Sequence, residues 1–500
     1  MGRLFGLNAP APSNARVLEL GCAAGANLLP MAQHAPQAKF LGIDASARQI
    51  AAGQEAILAA GLTNVELRQQ DILDFPAAEG KFDYIIVHGI YSWVSENVRK
   101  KILDICREHL AEHGVAYISY NAFPGWGMRM ALRDMMLFHT AAFPDATTKV
   151  GQAKALMKFL SDSVPTEGSP YGLLLREELE RLNSQPDHYV FHDILEGVNQ
   201  PFYFHEFVQQ AMGAGLQYLS ETSLDQMLAT NFDPKVSETL AQISGNIIAK
   251  EQYMDFLRNR SFRRTLLCHQ GVKLQRALTP ASLKSFYYTS TLAKSANIDF
   301  LPGATHEFKL RVASPVAVSS SDTFVKALFD TLAEYSLARV SFDELLTATK
   351  AKAEQYVRPM QSEDTSEVQA ATVMANLMEL YARGILSIYA ERPEFLKEVS
   401  EKPAVTPLAR HQALKEPKVT SLAHYSVPID MFGRYVMAAC DGTRDRAAIV
   451  TYLFDAVKSG KLQLNENNQP VTDEARIRLI LEDRVGRVLL QIAAYGFFVA

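Results

Sequence analysis

Val17-Leu-Glu-Leu-Gly-Cys-Ala-Ala-Gly-Ala-Asn27 is the stretch on which the reading of this chain turns. Val17 to Leu20 has the composition of a short apolar strand. Gly21, Ala23 and Gly25 follow as a turn of small residues, and Leu28 to His34 reads as the start of a helix. A strand, a tight turn and a helix N-terminus together set backbone N–H groups and the positive end of a helix dipole around a ligand. Alone, such a turn is weak evidence. The residues downstream strengthen it. Phe40-Leu-Gly-Ile-Asp44 is a second strand ending in a carboxylate, roughly 20 residues on, where dinucleotide folds place the acid that meets ribose hydroxyls. Asn64 to Asp71 is a third strand ending in an acid, and Lys81-Phe-Asp-Tyr-Ile-Ile-Val-His88 a fourth.

Strand and helix keep alternating. Ala47 to Ala60 reads as a helix closed by Gly61, Asn97 to Ala111 as a helix stopped at Gly114, and Val115 to Tyr120 as a fifth strand. The fold class expected is α/β, a doubly wound Rossmann-like domain. In such sheets ligands lie beyond the carboxyl ends of the strands. Two segments therefore face the site: His88-Gly-Ile-Tyr-Ser-Trp-Val94 and Asn121-Ala-Phe-Pro-Gly-Trp126, which hold both tryptophans of the chain. Tyr91, Trp93, Tyr120, Phe123 and Trp126 are candidates for a pocket wall that excludes water and holds a developing cation over aromatic faces. For any single ring, packing in the core is the competing reading.

The order Glu19, Asp44, Asp71, then Phe-Asp-Tyr-Ile-Ile resembles the class I S-adenosylmethionine-dependent methyltransferases. The absence of a G-x-G-x-x-G pattern speaks against an ordinary dinucleotide site. The resemblance implies that S-adenosylmethionine (SAM) is the cofactor. It implies that Glu19, Gly21, Ala23, Gly25 and Asn27 hold its methionine part, that Asp44 takes the ribose, and that Asp71 with Ile72 flanks the adenine. His88 then borders the donor from the fourth strand.

Bulk properties narrow the class. A chain of 500 residues holds several domains, because single cores stop growing near 250–300 residues. A net charge of −5 argues against a chain-wide grip on nucleic acid. Cys22, Cys106, Cys268 and Cys440 are far apart, which suggests neither a disulfide framework nor a metal site. No signal pattern opens the chain, and the apolar run from Leu489 to Ala500 is too short for a bilayer, so a cytoplasmic protein is expected.

The rest reads as further domains. Residues 1–126 form the donor-binding core. Amphipathic stretches at Met128–Thr140, Ala153–Ser163 and Tyr171–Asn183 make residues 127–186 a helical insertion, a lid or a homodimer interface. A helix at Phe202–Ala214 and a strand at Gln217–Glu221 resemble the closing helix and antiparallel strand of a class I sheet, so 187–222 completes the core. Residues 223–300 read as a helical middle domain. Within it the cluster Arg258, Arg260, Arg263, Arg264 is read as a solvated helix face, or as a partner for acids of the insertion. A faint duplication, 301–397 and 398–500, has the helix, helix and strand order of winged helices, with Glu398–Lys418 as a linker. Acids outnumber bases between Ala304 and Glu391, so protein interaction is favoured there over DNA.

With these residues in view, the chain resembles the bacterial methyltransferases that carry a methyltransferase regulatory domain, and among them the rickettsial-type protein-lysine methyltransferases. The resemblance lies in Leu18-Glu-Leu-Gly-Cys22 with Asn27 to Met31, in His88 to Trp93, in Tyr120 to Trp126, in Phe256 to Leu267, and in Asp441 to Arg446. It implies a homodimer with a protein substrate and four kinds of domain. Two departures stand out. Ala23 replaces the middle glycine of the first turn, which narrows the approach of backbone to ligand. Family members also usually carry some tens of residues, rich in Tyr, Pro and His, ahead of the point where this chain begins, and these help cover the donor site. The function expected is transfer of methyl to a lysine nitrogen, with His88 or Tyr91 taking the amine proton, Trp93 and Trp126 as walls, and no metal. The rival readings are a small-molecule methyltransferase and a donor-binding scaffold without turnover.

Overall fold

The computed structural model describes residues 1–311, 317–335, 339–356, 364–392, 396, 398–466 and 469–499. The first domain follows the expected alternation: β1 (Arg16–Leu20), α1 (Leu28–His34), β2 (Lys39–Asp44), α2 (Ala47–Ala60), β3 (Val65–Gln69), β4 (Phe82–Val87), α3 (Glu96–His109) and β5 (Leu110–Asn121). Helix α2 begins where Ser46 accepts the Gln49 N–H and ends at Gly61 in the left-handed conformation. Gly114 does not stop α3. It sits inside β5, where an added Cβ would lie 2.9 Å from the Asp83 carbonyl oxygen, so it serves close strand approach instead.

The chain then leaves the sheet for α4 (Gly125–Thr140), α5 (Ala146–Ser163), α6 (Pro170–Ser184) and the short α7 (Asp187–Val190). These helices share a core of their own around Leu132, Met136, Met157, Leu175 and Leu182. The chain returns through α8 (Phe204–Gly213) and β6 (Leu216–Glu221), passes α9 (Pro234–Ile243) and α10 (Ile247–Arg258), and adds β7 (Phe262–His269). The finished sheet has the order β3-β2-β1-β4-β5-β7-β6. β7 is antiparallel to both β5 and β6.

Two expectations are corrected here. Leu216–Glu221 is the edge strand and runs with β1–β5. The antiparallel strand that closes the sheet is Phe262–His269, inside the stretch read as helical. The core is thus completed by α8, β6 and β7, not by 187–222 alone. The arginine cluster is likewise no solvated helix face. Arg263 is fully buried on β7, where it meets Glu221, Glu251 and Asp255 rather than acids of the insertion. Burial on alternate residues of β7, with Arg263, Thr265 and Leu267 inside, is the period of a strand. A cation at an inward position disguised it.

β8 (Tyr287–Ser290) and the hairpin of β9 (His306–Phe308) with β10 (Val318–Ser320) lead into α11 (Thr323–Tyr335), β11 (Val340–Ser341), α12 (Phe342–Ala353), α13 (Asp364–Ala382) and β12 (Leu386–Tyr389). β8 lies between β11 and β12, so the winged-helix-like unit takes its central strand from before residue 301. The C-terminal unit contains β13 (Ala404–Val405), α14 (Pro407–Lys415), β14 (Lys418–Thr420), β15 (Ser426–Pro428), α15 (Met431–Ala439), α16 (Arg446–Lys458) and α17 (Glu474–Ala494). Glu398–Lys418 is therefore more than a linker. It contains α14, whose Leu408 is buried in the same cluster as Val17, Leu28 and Phe40 of the first domain.

Candidate active site at the carboxyl edge of the sheet

β1 pairs with β2 and β4, so Glu19 has Gly42 on one side and Ile86 on the other. The turn that follows is built tightly. Gly21 has φ +69°, and an added Cβ would fall 1.9 Å from Ile90 Cδ1, so the loop after β4 lies directly over it. Ala23 also takes positive φ, +47°, a conformation that costs an alanine about 1 kcal/mol. Its N–H donates to Asp44 Oδ2 at 2.9 Å, and the Ser46 N–H donates to Asp44 Oδ1 at 2.8 Å. The Asp44 carboxylate is thus oriented by backbone on both oxygens, with lone pairs left for a ligand.

Glu19 is buried, and its Oε1 accepts from Asn27 Nδ2 at 3.0 Å while Oε2 has no partner. Burial pushes its carboxyl up to about 7, against the opposing effect of the Asn27 hydrogen bond. Burial, then Glu19 and Asp44, push the Cys22 thiol up to about 12. The pocket is therefore desolvated, and a cation placed beside the bare Glu19 oxygen would favour the ionised form of that carboxyl. Beyond the end of β3, exposed Asp71 accepts the Leu73 N–H at 2.8 Å and caps the turn of half-buried Ile72.

After β4, exposed His88 sets Nδ1 2.9 Å from the Tyr117 hydroxyl and 3.1 Å from Ser119 Oγ. The buried side of the ring, then the Arg264 guanidinium, lowers its pKa, so the imidazole is neutral at neutral pH. Ser119 Oγ also accepts the Gly89 N–H at 2.9 Å and fixes the loop. The two expected aromatic loops do meet, with the Trp93 and Trp126 rings edge to face at 6.3 Å.

Their rings divide, however. Tyr91 is fully buried against Phe202, Phe207 and Tyr120, and its hydroxyl donates to Gln210. It faces the α3 and α8 side, where its hydroxyl is already engaged, so it packs as core rather than as an open wall. Tyr120 is core as well. Trp126 is buried in the first turn of α4 with Arg129 5.2 Å from its ring, so its aromatic face already holds a cation. Trp93 alone of these four stays half-exposed.

Several site residues escaped the sequence reading. Tyr117, Ser119 and Ser46 orient the named ones through hydrogen bonds but have no motif of their own. Tyr203 lies 5.2 Å from Phe123 and 6.0 Å from Phe256, making an aromatic lip outside the loop after β5. His424, far away in the chain, sets Nε2 3.2 Å from Asn27 Oδ1. Among the described residues no group of three or more His, Cys, Asp or Glu is placed to hold a metal ion.

Known proteins bear on this geometry. A methyltransferase domain matches residues 17–114, a predicted methyltransferase regulatory domain matches 186–269, and the C-terminal winged helix domain of PKMT matches 401–497. The chain is 36% identical over 488 residues to protein RP789 of Rickettsia prowazekii, covering 96% of this chain and 86% of that protein. The solved structure of PKMT2 from Rickettsia typhi is 32% identical, with a TM-score of 0.87 over 100% of this chain and 96% of that one. The same protein in complex with AdoHcy gives a TM-score of 0.88. A trans-aconitate 2-methyltransferase of Deinococcus radiodurans is 32% identical over 114 residues, only 23% of this chain. With the class I sheet order, the acids at its carboxyl edge and this full-length likeness, the chain belongs to the bacterial SAM-dependent methyltransferases that carry a methyltransferase regulatory domain and a PKMT winged helix.

Proposed function

We propose that this SAM-dependent methyltransferase methylates a protein, on a lysine side-chain nitrogen. The observation that carries the reading is the likeness to PKMT2 over the whole chain, winged helix included, where the metabolite enzyme matches only a short part. Glu19 Oε2 meets the ammonium of the donor's methionine part, Asn27 and the Gly21–Gly25 turn frame it, Asp44 takes the ribose, and Asp71 with Ile72 borders the adenine. His88, neutral at neutral pH and held at Nδ1 by Tyr117 and Ser119, accepts the amine proton at Nε2. The acceptor nitrogen attacks the methyl carbon in line as the donor's carbon–sulfur bond breaks. Rate comes from positioning and exclusion of water. Trp93 remains the candidate wall for the acceptor.

Incubation with methyl-labelled SAM and a cell extract, followed by separation of proteins from metabolites, tests the reading. Label in the protein fraction is expected. Label confined to metabolites would establish the small-molecule alternative, and donor binding without any labelling would leave a scaffold. The same reading includes a cytoplasmic protein that does not bind nucleic acid. Among the described residues no helix is long and apolar enough to cross a membrane.

A further inference from the structure

We infer that His424 of the C-terminal winged-helix unit is a positioning residue for the methyl donor, acting through Asn27 on Glu19. The turn that carries it, Ser421–Tyr425, joins β14 to β15. It is closed by the Ser421 N–H to the Tyr425 carbonyl at 2.9 Å and by the His424 N–H to the Ser421 carbonyl at 2.9 Å. His424 adopts φ +65°, a left-handed conformation that non-glycine residues rarely take, at the tip of the turn.

The unit behind the turn is seated firmly on the donor domain. Leu408 of α14 is buried among Leu28, Leu29 and Phe40, its N–H donates to Gln33 Oε1 at 3.2 Å, and Lys415 pairs with Glu55 on α2. From that seat Leu422 and His424 line a cavity of about 500 Å³ against β1, β4 and α1.

A short hydrogen-bond chain runs from the turn into the donor pocket. The Asn27 side-chain oxygen can only accept, so His424 donates to it from Nε2 over 3.2 Å. This fixes the amide so that Nδ2 points to Glu19 Oε1 at 3.0 Å. Glu19 is thereby held with Oε2 bare and buried. Without His424, Asn27 can rotate its amide and present oxygen to a carboxylate, which would repel it.

The inference rests on the proposed role of Glu19 toward the donor's ammonium. It is tested by calorimetric titration of SAM and of S-adenosylhomocysteine into the full-length protein and its variants. His424→Asn keeps a residue that tolerates positive φ but lacks the reach. It should weaken binding about 3- to 10-fold, the loss of one hydrogen bond. His424→Gln, with an N–H donor at similar reach, should stay within about twofold of the native protein. In the Asn27→Ala background, His424→Asn should have no further effect, because the two residues act in series. A purely structural role would instead add its penalty to that of Asn27→Ala and would not be rescued by glutamine. Additive losses, or native affinity in His424→Asn, would overturn the inference. Failure of the native protein to bind either compound would instead refute the reading of the donor site itself.

Discussion

Glu19 carries opposing demands of stability and binding. A carboxyl held near 7 when buried, against 4.5 when exposed, costs roughly 3 kcal/mol once ionised. The native state therefore binds a proton that the unfolded chain releases, and the Glu19 contribution to stability falls as pH rises from about 4.5 to about 7. Glu19→Gln should accordingly raise the stability of the donor-free protein at pH 8 by up to about 3 kcal/mol in urea unfolding, with the gain vanishing near pH 4. Donor affinity should move the other way. A cationic amine requires the ionised carboxylate, so native affinity should decline as pH drops below about 7, and Glu19→Gln should flatten that profile in titrations across pH. Asp44 offers a second check. A charged hydrogen bond contributes about 1.5–3 kcal/mol, so Asp44→Ala should weaken SAM binding about 10- to 100-fold in calorimetry. The position of Asp44 at a strand end was legible from the sequence, whereas Glu19, inside its strand, was singled out only by the resemblance of its motif. What was not legible is which aromatic ring turns inward, because Tyr91 and Trp93 are two residues apart on a loop without a repeating period. Tyr91 is fully buried, while Trp93 stays half-exposed.

The elements of the donor domain were largely readable because apolar strands and capped helices alternate there at short range. β7 was not, since its identity depends on charges brought together from three places in the chain. Arg263 donates to Asp255 at 2.7 and 2.8 Å, to Glu221 at 2.7 Å and to Glu251 at 3.1 Å, with its guanidinium 3.7 Å over the Phe204 ring. Nothing in a local window shows that a buried arginine will be neutralised so completely. Three acids would be left without their main cation in Arg263→Met. Breaking a buried pair costs about 3–5 kcal/mol, and chemical denaturation of Arg263→Met should show a loss of at least that order. A loss below about 1 kcal/mol would mean that the cluster is not what closes the sheet.

At the scale of the whole molecule, the helical insertion leaves large apolar side chains in water. Met128, Phe138, Phe159, Tyr171 and Leu173 are all exposed on α4, α5 and α6, in a bundle that already has its own core. We propose that a second copy covers part of this exposed apolar surface, around Phe138 and Phe159. Light scattering at micromolar concentration should give twice the chain mass, and Phe138→Glu with Phe159→Glu should give a single chain without loss of helix content. A native monomer would count against that interface. The central claim, transfer of methyl to lysine, is tested most directly by amino-acid analysis of the labelled protein fraction after reaction with methyl-labelled SAM. Complete hydrolysis should return the label as N-methylated lysine. Label recovered on other residues, or none in protein despite tight donor binding, would contradict it.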